Sequence, residues 1–130
     1  MSSIPEDIKY TEDHEWIRME DEFQGVCGIT DYAQEMLTDI VFVELPDEEI
    51  EVNQGDQVGV VESVKAVSDI HSPVTGRIVK VNKSLEDSPE LINSDPYEEG
   101  WIFVIEIKKK NEMESLMDFK DYEKKIDGEK

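Results

Sequence analysis

The sequence predicts a mainly β protein, a small sandwich or barrel built from at least seven short strands. Two observations predict this class. Short stretches rich in Val, Ile and aromatic residues recur along the chain, which is the composition typical of strands. Gly, Pro, Asn and Asp separate these stretches at short intervals and indicate turns. The 130 residues are expected to form one domain, of which residues 120–130 form a frayed tail.

The strands are predicted from alternation and from continuous apolar stretches. Residues 15–20 alternate apolar and charged side chains, as a half-buried strand does, and residues 40–43 read as a continuous apolar strand. The stretch 101–107 is expected to be buried on both faces, whereas 87–100, with two Pro and Gly100, is predicted to be a long ordered loop. The remaining predicted strands are 26–29, 58–64, 66–70 and 78–81.

Two helical segments interrupt this pattern. Thr30 or Asp31 is predicted to cap a short helix, because Gln34 follows Asp31 at the spacing of a capping box. Asn111 and Glu114 predict a second capping box at the start of a C-terminal helical segment. We expect that segment to pack on the β body.

The charge balance restricts the partners that this chain can bind. The 33 acidic and 13 basic residues give a formal net charge of −20. Nucleic acids and anionic membrane surfaces would repel such a protein, so neither is an expected partner. Two explanations of the acidity stay open: it favours partners with basic docking faces, or it serves only the solubility of the protein.

Three further features of the sequence indicate the cellular compartment in which the protein works. Apolar runs fall short of the about 20 residues that a membrane span requires. The first residues lack the pattern of a targeting peptide, which predicts a bacterial cytoplasmic protein, or a mitochondrial matrix protein if the chain is a processed eukaryotic form. Cys27 is the single cysteine, and its apolar surroundings predict a buried, inert thiol in a reducing compartment.

The sequence lacks the signatures of common catalytic and metal sites. His14 and His71 are isolated in sequence, and there is no second cysteine, so we expect no metal site. The glycines do not form a phosphate-binding loop, and no nucleophile elbow occurs. A Ser/His/Asp triad stays open, because residue order alone does not decide it.

Lys65 is the most informative residue of the chain. It lies in the sequence VVESVKAVSDIH at 60–71, between two predicted strands, which places it at a hairpin tip. Three interpretations are open: an ordinary surface lysine, a Schiff-base catalyst, and an attachment point for a cofactor. A Schiff-base lysine needs a desolvated pocket, which a hairpin tip does not provide. An attachment point needs exposure and a rigid base, which a hairpin tip does provide.

The residues around Lys65 resemble a known family. ESVKAVSD, with SPVTGRIVKVN after it, is similar to the lipoyl-lysine region of glycine cleavage system H proteins. Further similar blocks are YTEDHEWIR at 10–18, GITDYAQEMLTDIVFVELP at 28–46 and DSPELINSDPYEEGW at 87–101. The resemblance implies a flattened β barrel-sandwich hybrid of the lipoyl/biotinyl-carrier type, with short helices and a C-terminal helical segment.

Two neighbouring families are less similar. Biotin-carrying domains usually have Met on both sides of their lysine, where this chain has Val64 and Ala66. Lipoyl domains of 2-oxoacid dehydrogenases usually have Asp before the lysine. The chain also departs from the H-protein pattern, because the family often has Gly near position 49 and this chain has Glu49. That departure leaves the conformation of the loop after Pro46 open.

The resemblance implies a carrier protein, not an enzyme, with lipoate in amide linkage to Lys65. The implied partners are glycine decarboxylase, a pyridoxal-phosphate enzyme, then an aminomethyltransferase, dihydrolipoyl dehydrogenase and a lipoate-attaching enzyme. It also implies contacts that protect the loaded arm: Glu15, Asp69 and Asp13 as polar groups and Leu37 as an apolar wall. The acidic residues could equally be solvated surface groups. The alternative functions are a lipoate relay to other enzymes and a regulatory homologue outside glycine cleavage.

Overall fold

The computed structural model describes residues 2–129, which form nine strands, four α-helices and one 3₁₀ helix. The strands are β1 Lys9–Tyr10, β2 Glu15–Met19, β3 Gln24–Ile29, β4 Ile40–Glu44, β5 Glu51–Val52, β6 Gln57–Ser63, β7 Val67–His71, β8 Gly76–Val81 and β9 Phe103–Ile107. The α-helices are α1 Asp31–Leu37, α2 Ser84–Asp87, α3 Leu91–Ser94 and α4 Phe119–Glu129, and the 3₁₀ helix is Lys110–Ser115.

The strands pair into two antiparallel sheets. A six-stranded sheet has the order β1-β2-β3-β9-β8-β5, and a three-stranded sheet has the order β4-β6-β7. Ile17, Ile78 and Ile105 of the first sheet and Val61 and Ile70 of the second belong to one buried cluster. The two sheets therefore enclose a shared apolar core, which confirms the predicted mainly β sandwich.

A β-bulge alters the strand predicted at 40–43. Ile40 pairs with Ser63 and Phe42 pairs with Glu62, so Val41 is the extra residue. A bulge leaves the extra residue unpaired and turns adjacent side chains away from strict alternation. Val41 and Phe42 are consequently exposed, although the strand itself forms where it was predicted.

The segment 87–100 is more helical than predicted. Part of α2 and all of α3 lie where the sequence suggested a loop, and Leu85 and Ile92 are buried on these short helices. Ser88 N–H donates to the carbonyl of Ser84, and Asp95 N–H donates to that of Leu91. Local hydrogen bonds of one helical turn and two buried side chains are enough to order this segment.

The helix caps follow the prediction in one case and not in the other. Thr30 caps α1, with its Oγ1 accepting from the backbone N–H of Ala33 at 3.1 Å. The capping box predicted at Asn111 and Glu114 was wrong, because the 3₁₀ helix begins at Lys110 without a side-chain cap.

The C-terminal segment forms a docked helix where the sequence predicted a frayed tail. α4 continues to Glu129, and Tyr122 and Ile126 on it are buried. Tyr122 stacks on Tyr10 with 4.4 Å between ring centroids, which fixes the helix against β1. These aromatic and aliphatic contacts explain why the prediction was wrong, and Lys130 lies outside the described residues. Within residues 2–129, no helix is long and apolar enough to cross a bilayer.

Candidate functional site

Strands β6 and β7 form a hairpin whose tip carries Lys65, as predicted. Ser63 N–H donates to the carbonyl of Ala66 at 2.8 Å and closes a loop of two residues, Val64 and Lys65. Ser63 Oγ accepts from the backbone N–H groups of Lys65 at 3.1 Å and Ala66 at 2.9 Å. The serine side chain therefore satisfies the donors of a tight turn that contains no glycine.

The tip is also tied to the rest of the molecule. Val64 N–H donates to the carbonyl of Asp39 at 3.0 Å, just before β4 begins. The Lys65 side chain is exposed, and its Nζ lies 3.4 Å from the carbonyl oxygen of Met36 on α1. No carboxylate of residues 2–129 forms a salt bridge with this amine. The site thus offers an accessible amine on a backbone that is fixed at both sides.

A cavity of about 200 Å³ lies where α1, β7 and the end of α4 meet. Leu37 and Asp13, both predicted as arm contacts, line it together with Met36 of α1. The other lining residues are His14, Tyr32, Ala33, Ser68 and Glu129. Because Met36 also contacts Lys65 Nζ, the cavity lies beside the lysine and has an apolar side and an acidic side.

Glu15 lies behind this cavity in a separate, buried position. Its side chain is 2% exposed, and Oε1 accepts from Thr11 Oγ1 at 2.8 Å. Oε2 accepts from His71, both from the backbone N–H at 2.8 Å and from Nδ1 at 3.0 Å. Burial raises the pKa of Glu15, and the hydrogen bonds from His71 and Thr11 offset part of that rise.

Asp13 connects the two regions. Its Oδ2 lies 3.6 Å from His71 Nδ1, and it lines both the cavity beside Lys65 and a second cavity of about 280 Å³ next to Glu15. Asp13, Glu15 and His71 each place a possible metal ligand within 4.8 Å of the others. The sequence did not reveal this cluster, since His71 is distant in sequence from the other two. Glu15 already accepts three hydrogen bonds there, so we interpret the cluster as a hydrogen-bonded network.

Asp69 is not brought to these cavities. It is exposed, accepts from Gln57 Nε2 at 3.0 Å, and lines neither cavity. Ser68, its neighbour on β7, lines the cavity beside Lys65, and successive residues of a strand point to opposite faces. The described residues therefore bring Asp13 and Leu37 to the cavity beside Lys65, place Glu15 at the second cavity, and leave Asp69 on the other face of the hairpin.

Helix α4 supplies a wall that the sequence did not reveal. Nδ1 of His14 and Oη of Tyr122 share a hydrogen bond of 2.8 Å. Nε2 of His14 lies 3.2 Å from Oε1 of Glu129. Thr30 Oγ1 also bonds to Tyr122 Oη, at 2.7 Å. Burial lowers the pKa of His14, an effect that the nearby Glu129 carboxylate opposes. This network joins α4 to the start of β2 and fixes Glu129 at the cavity.

The comparison with known proteins decides the family. The profile described as Glycine cleavage H-protein matches residues 8–129. The chain belongs to the glycine cleavage H-protein family. The glycine cleavage system H protein of Photorhabdus laumondii is 49% identical over 129 residues, covering 99% of each chain. That of Listeria monocytogenes serotype 4b is 53% identical over 125 residues, covering 96% of this chain and 99% of the relative.

A solved structure supports the same family. The H protein of Mycobacterium marinum superposes with a TM-score of 0.80 at 38% identity, covering 92% of this chain and 95% of the other. The fold expected from the resemblance is thereby confirmed, as is the role of lipoyl-carrier protein in glycine cleavage.

Members of this H-protein family work with the enzymes of the glycine cleavage system. Cys27 does not contribute to the arrangement around Lys65. The thiol is buried as predicted, and burial raises its pKa, which keeps it protonated and inert.

Proposed function

We propose that Lys65 bears lipoate in amide linkage and that the chain carries the aminomethyl group of glycine between separate enzymes. The carrier would receive this group from glycine decarboxylase, deliver it to an aminomethyltransferase, and be reoxidised by dihydrolipoyl dehydrogenase. The observation that supports the proposal is the exposed Lys65 amine, held on a tied hairpin tip beside a cavity lined by Leu37 and Asp13.

The residues around Lys65 fit lipoate. The amine is accessible for amide formation, and Leu37 and Met36 offer an apolar surface of the kind that a hydrocarbon chain prefers. Lipoate, when bound, supplies a disulfide and dithiol pair that can accept the cargo. The protein itself supplies attachment, orientation and shelter, so we propose that it is a carrier and not an enzyme.

We further propose that acidic residues shelter the cationic amine of the cargo. Asp13 is the carboxylate best placed for this task, because it lines the cavity beside Lys65. Glu15 lies behind it, and its Oε1 accepts a single hydrogen bond in the structure. Asp69 is proposed as a further contact, although the structure offers it no position in the cavity. The compartment that we propose is the bacterial cytoplasm, where the relatives named above would operate.

The attachment proposal is tested by mass measurement. The intact protein, purified from its native host, should carry one lipoyl group, and peptide mapping should place it on Lys65. Lys65→Arg keeps a positive charge at the tip but does not form the amide, so it should fold normally and carry nothing. Lys80→Arg is the matched control, because it is an exposed lysine of the same chain and should leave lipoylation unchanged. Lipoate found on Lys80 or Lys83 would refute the assignment.

A further inference from the structure

Thr11, Glu15 and His71 form a hydrogen-bonded network beside Asp13. Oγ1 of Thr11 donates to Oε1 of Glu15 at 2.8 Å, and it accepts from the backbone N–H groups of Asp13 at 3.2 Å and Glu15 at 3.1 Å. His71 donates from its backbone N–H and from Nδ1 to Oε2 of Glu15. These bonds fix the backbone of the turn before β2 and the side chain of Glu15, but none of them reaches the carboxylate of Asp13.

The carboxylate of Asp13 depends on His71 for its position. Its Oδ2 lies 3.6 Å from Nδ1 of His71, the same nitrogen that contacts Glu15. Lys125 of α4 carries a second positive charge that attracts Asp13, but its Nζ is bound to Oε2 of Glu129 at 2.9 Å. Among the ion pairs of residues 2–129, His71 is therefore the partner of Asp13.

Electrostatics explain why the Asp13 carboxylate needs this partner. Carboxylate oxygens of Asp13 and Glu15 lie within 4.8 Å of each other, and two ionised carboxylates at such a distance repel. The N–H at Nδ1 of His71 is close to both oxygens and offsets that repulsion. Because the Asp13 side chain is 64% exposed, it would be free to turn into water if the His71 ring were removed.

His71 holds Asp13 from outside the cavity beside Lys65. It lines the cavity of about 280 Å³ next to Glu15 and does not line the cavity of about 200 Å³, whereas Asp13 lines both. A group that enters the smaller cavity can therefore contact Asp13 while His71 stays behind the carboxylate.

We infer that His71 is a positioning residue for the cargo: it holds the carboxylate of Asp13 at the cavity beside Lys65 and so slows the loss of the aminomethyl group. This inference rests on the proposed function, in which Asp13 accepts the cationic amine of the cargo. The amide nitrogen of asparagine is attached to Cγ, as Nδ1 of histidine is, and it carries hydrogens to donate. His71→Asn should therefore hold Asp13 in place, whereas His71→Ala should not.

The first measurement uses the unlipoylated chain and does not depend on lipoate. Carbon-13 relaxation of the Asp13 methylene group reports how freely this side chain moves on the picosecond to nanosecond timescale. We expect its order parameter to fall in His71→Ala and to return to the parent value in His71→Asn. Val67→Ala is the matched control, because Val67 is an exposed residue of the same strand that lines neither cavity. Circular dichroism should show that all variants are folded.

The second measurement uses protein loaded with the aminomethyl group, in the absence of the transferase. His71→Ala should lose the group by hydrolysis about fivefold faster than the parent, which is the upper range for an exposed ion pair. His71→Asn should lose it at close to the parent rate. In the Asp13→Asn background, His71→Ala should have little further effect, because His71 acts through Asp13. Glu15 keeps its bond from the backbone N–H of residue 71 in every variant.

Three results would overturn the inference. Parent-like motion of the Asp13 side chain in folded His71→Ala would show that His71 does not position it. Effects of His71→Ala and Asp13→Asn that add in full would assign the action of His71 to Glu15 instead. His71→Asn that behaves as His71→Ala does in both measurements would exclude the donated N–H as the cause. A parent chain that carries no lipoate would refute the proposed function and the protection of the cargo with it, while the motion of Asp13 would still decide whether His71 holds this carboxylate.

Discussion

Glu15 and His71 are joined by two hydrogen bonds to one oxygen: the backbone N–H and Nδ1 of His71 both contact Oε2 of Glu15, at 2.8 and 3.0 Å. Burial nevertheless raises the pKa of Glu15 above its ordinary value of 4.5. The folded protein therefore binds the Glu15 proton more tightly than the unfolded chain does. The stability that this proton contributes is present below pH 4.5 and is lost as pH rises through the folded pKa.

Glu15→Gln tests this linkage. The amide can accept from His71 and donate to Thr11, but it cannot titrate. The parent should gain stability relative to the variant as the pH is lowered, because only the parent binds the proton at position 15. The difference between their free energies of unfolding, parent minus variant, should therefore be larger at pH 4 than at pH 8. Urea unfolding across this range measures it. Glu48→Gln reports the effect of one exposed charge alone, and a difference that grows with pH would contradict the prediction.

Removing the sheltering carboxylates should expose the cargo. In protein loaded with the aminomethyl group, Asp13→Asn with Glu15→Gln should lose that group by hydrolysis, as formaldehyde and ammonia with the free dithiol left behind, about tenfold faster than the parent, because hydrogen bonds to a charged group contribute about 1.5–3 kcal/mol. Release is followed without the transferase. Asp69→Asn should have the smaller effect, since Asp69 lines neither cavity. Equal rates for the parent and the double variant would show that Asp13 and Glu15 give no protection.

The acidity of the surface predicts a salt effect. Acylation of Lys65 removes one positive charge and changes the formal net charge from −20 to −21. Attraction between this surface and a basic docking face weakens as ions screen it. The KM of glycine decarboxylase for the lipoylated chain should rise several-fold between low salt and an ionic strength of about 0.15 M. A KM that stays constant over this range would show that the acidic surface does not contribute to docking.

Glu49 adopts a backbone conformation that favours glycine. Its φ is 69°, and its N–H donates to the carbonyl of Ile78 at 2.7 Å, while its side chain pairs with Arg77. A left-handed conformation costs a residue with a side chain about 1–2 kcal/mol. Glu49→Gly should therefore be more stable than Glu49→Ala by about 1 kcal/mol. At Glu48, where φ is not positive, Glu48→Ala should instead be more stable than Glu48→Gly. Thermal unfolding of these two variants and of the two at Glu49 measures both differences.

The position of Lys65 could be predicted from the sequence because it depends on local patterns. Two β-branched stretches predict two strands, and the lysine between them lies at the turn. The helix at Thr30 was predicted for the same reason, since a cap and its partner lie within one turn. The structure added the serine that closes the hairpin, which reads in sequence as an ordinary polar residue.

The features that escaped prediction depend on contacts between distant parts of the chain. His71 reaches Glu15 across 56 residues, and His14 reaches Tyr122 across 108. No periodicity encodes such pairs. The bulge at Val41 is likewise a property of two strands together, because it is defined by the pairing of β4 with β6. A C-terminal helical segment was predicted, but its continuation to Glu129 was not, because the stacking of Tyr122 on Tyr10 that holds α4 in place does not follow from helix propensity.

One end of the described chain lies against α1, the helix that borders the Lys65 cavity, and the other end lies at the cavity itself. Ser3 N–H donates to the carboxylate of Asp31 on α1 at 2.8 Å, and Glu129 lines the cavity itself. An affinity tag or a fluorophore fused to either end would therefore crowd the cleft and compete with the cargo. The turn at residues 21–24, where Asp21 accepts from two backbone N–H groups, lies about 20 Å away along β3. Labels for kinetic work belong at that turn.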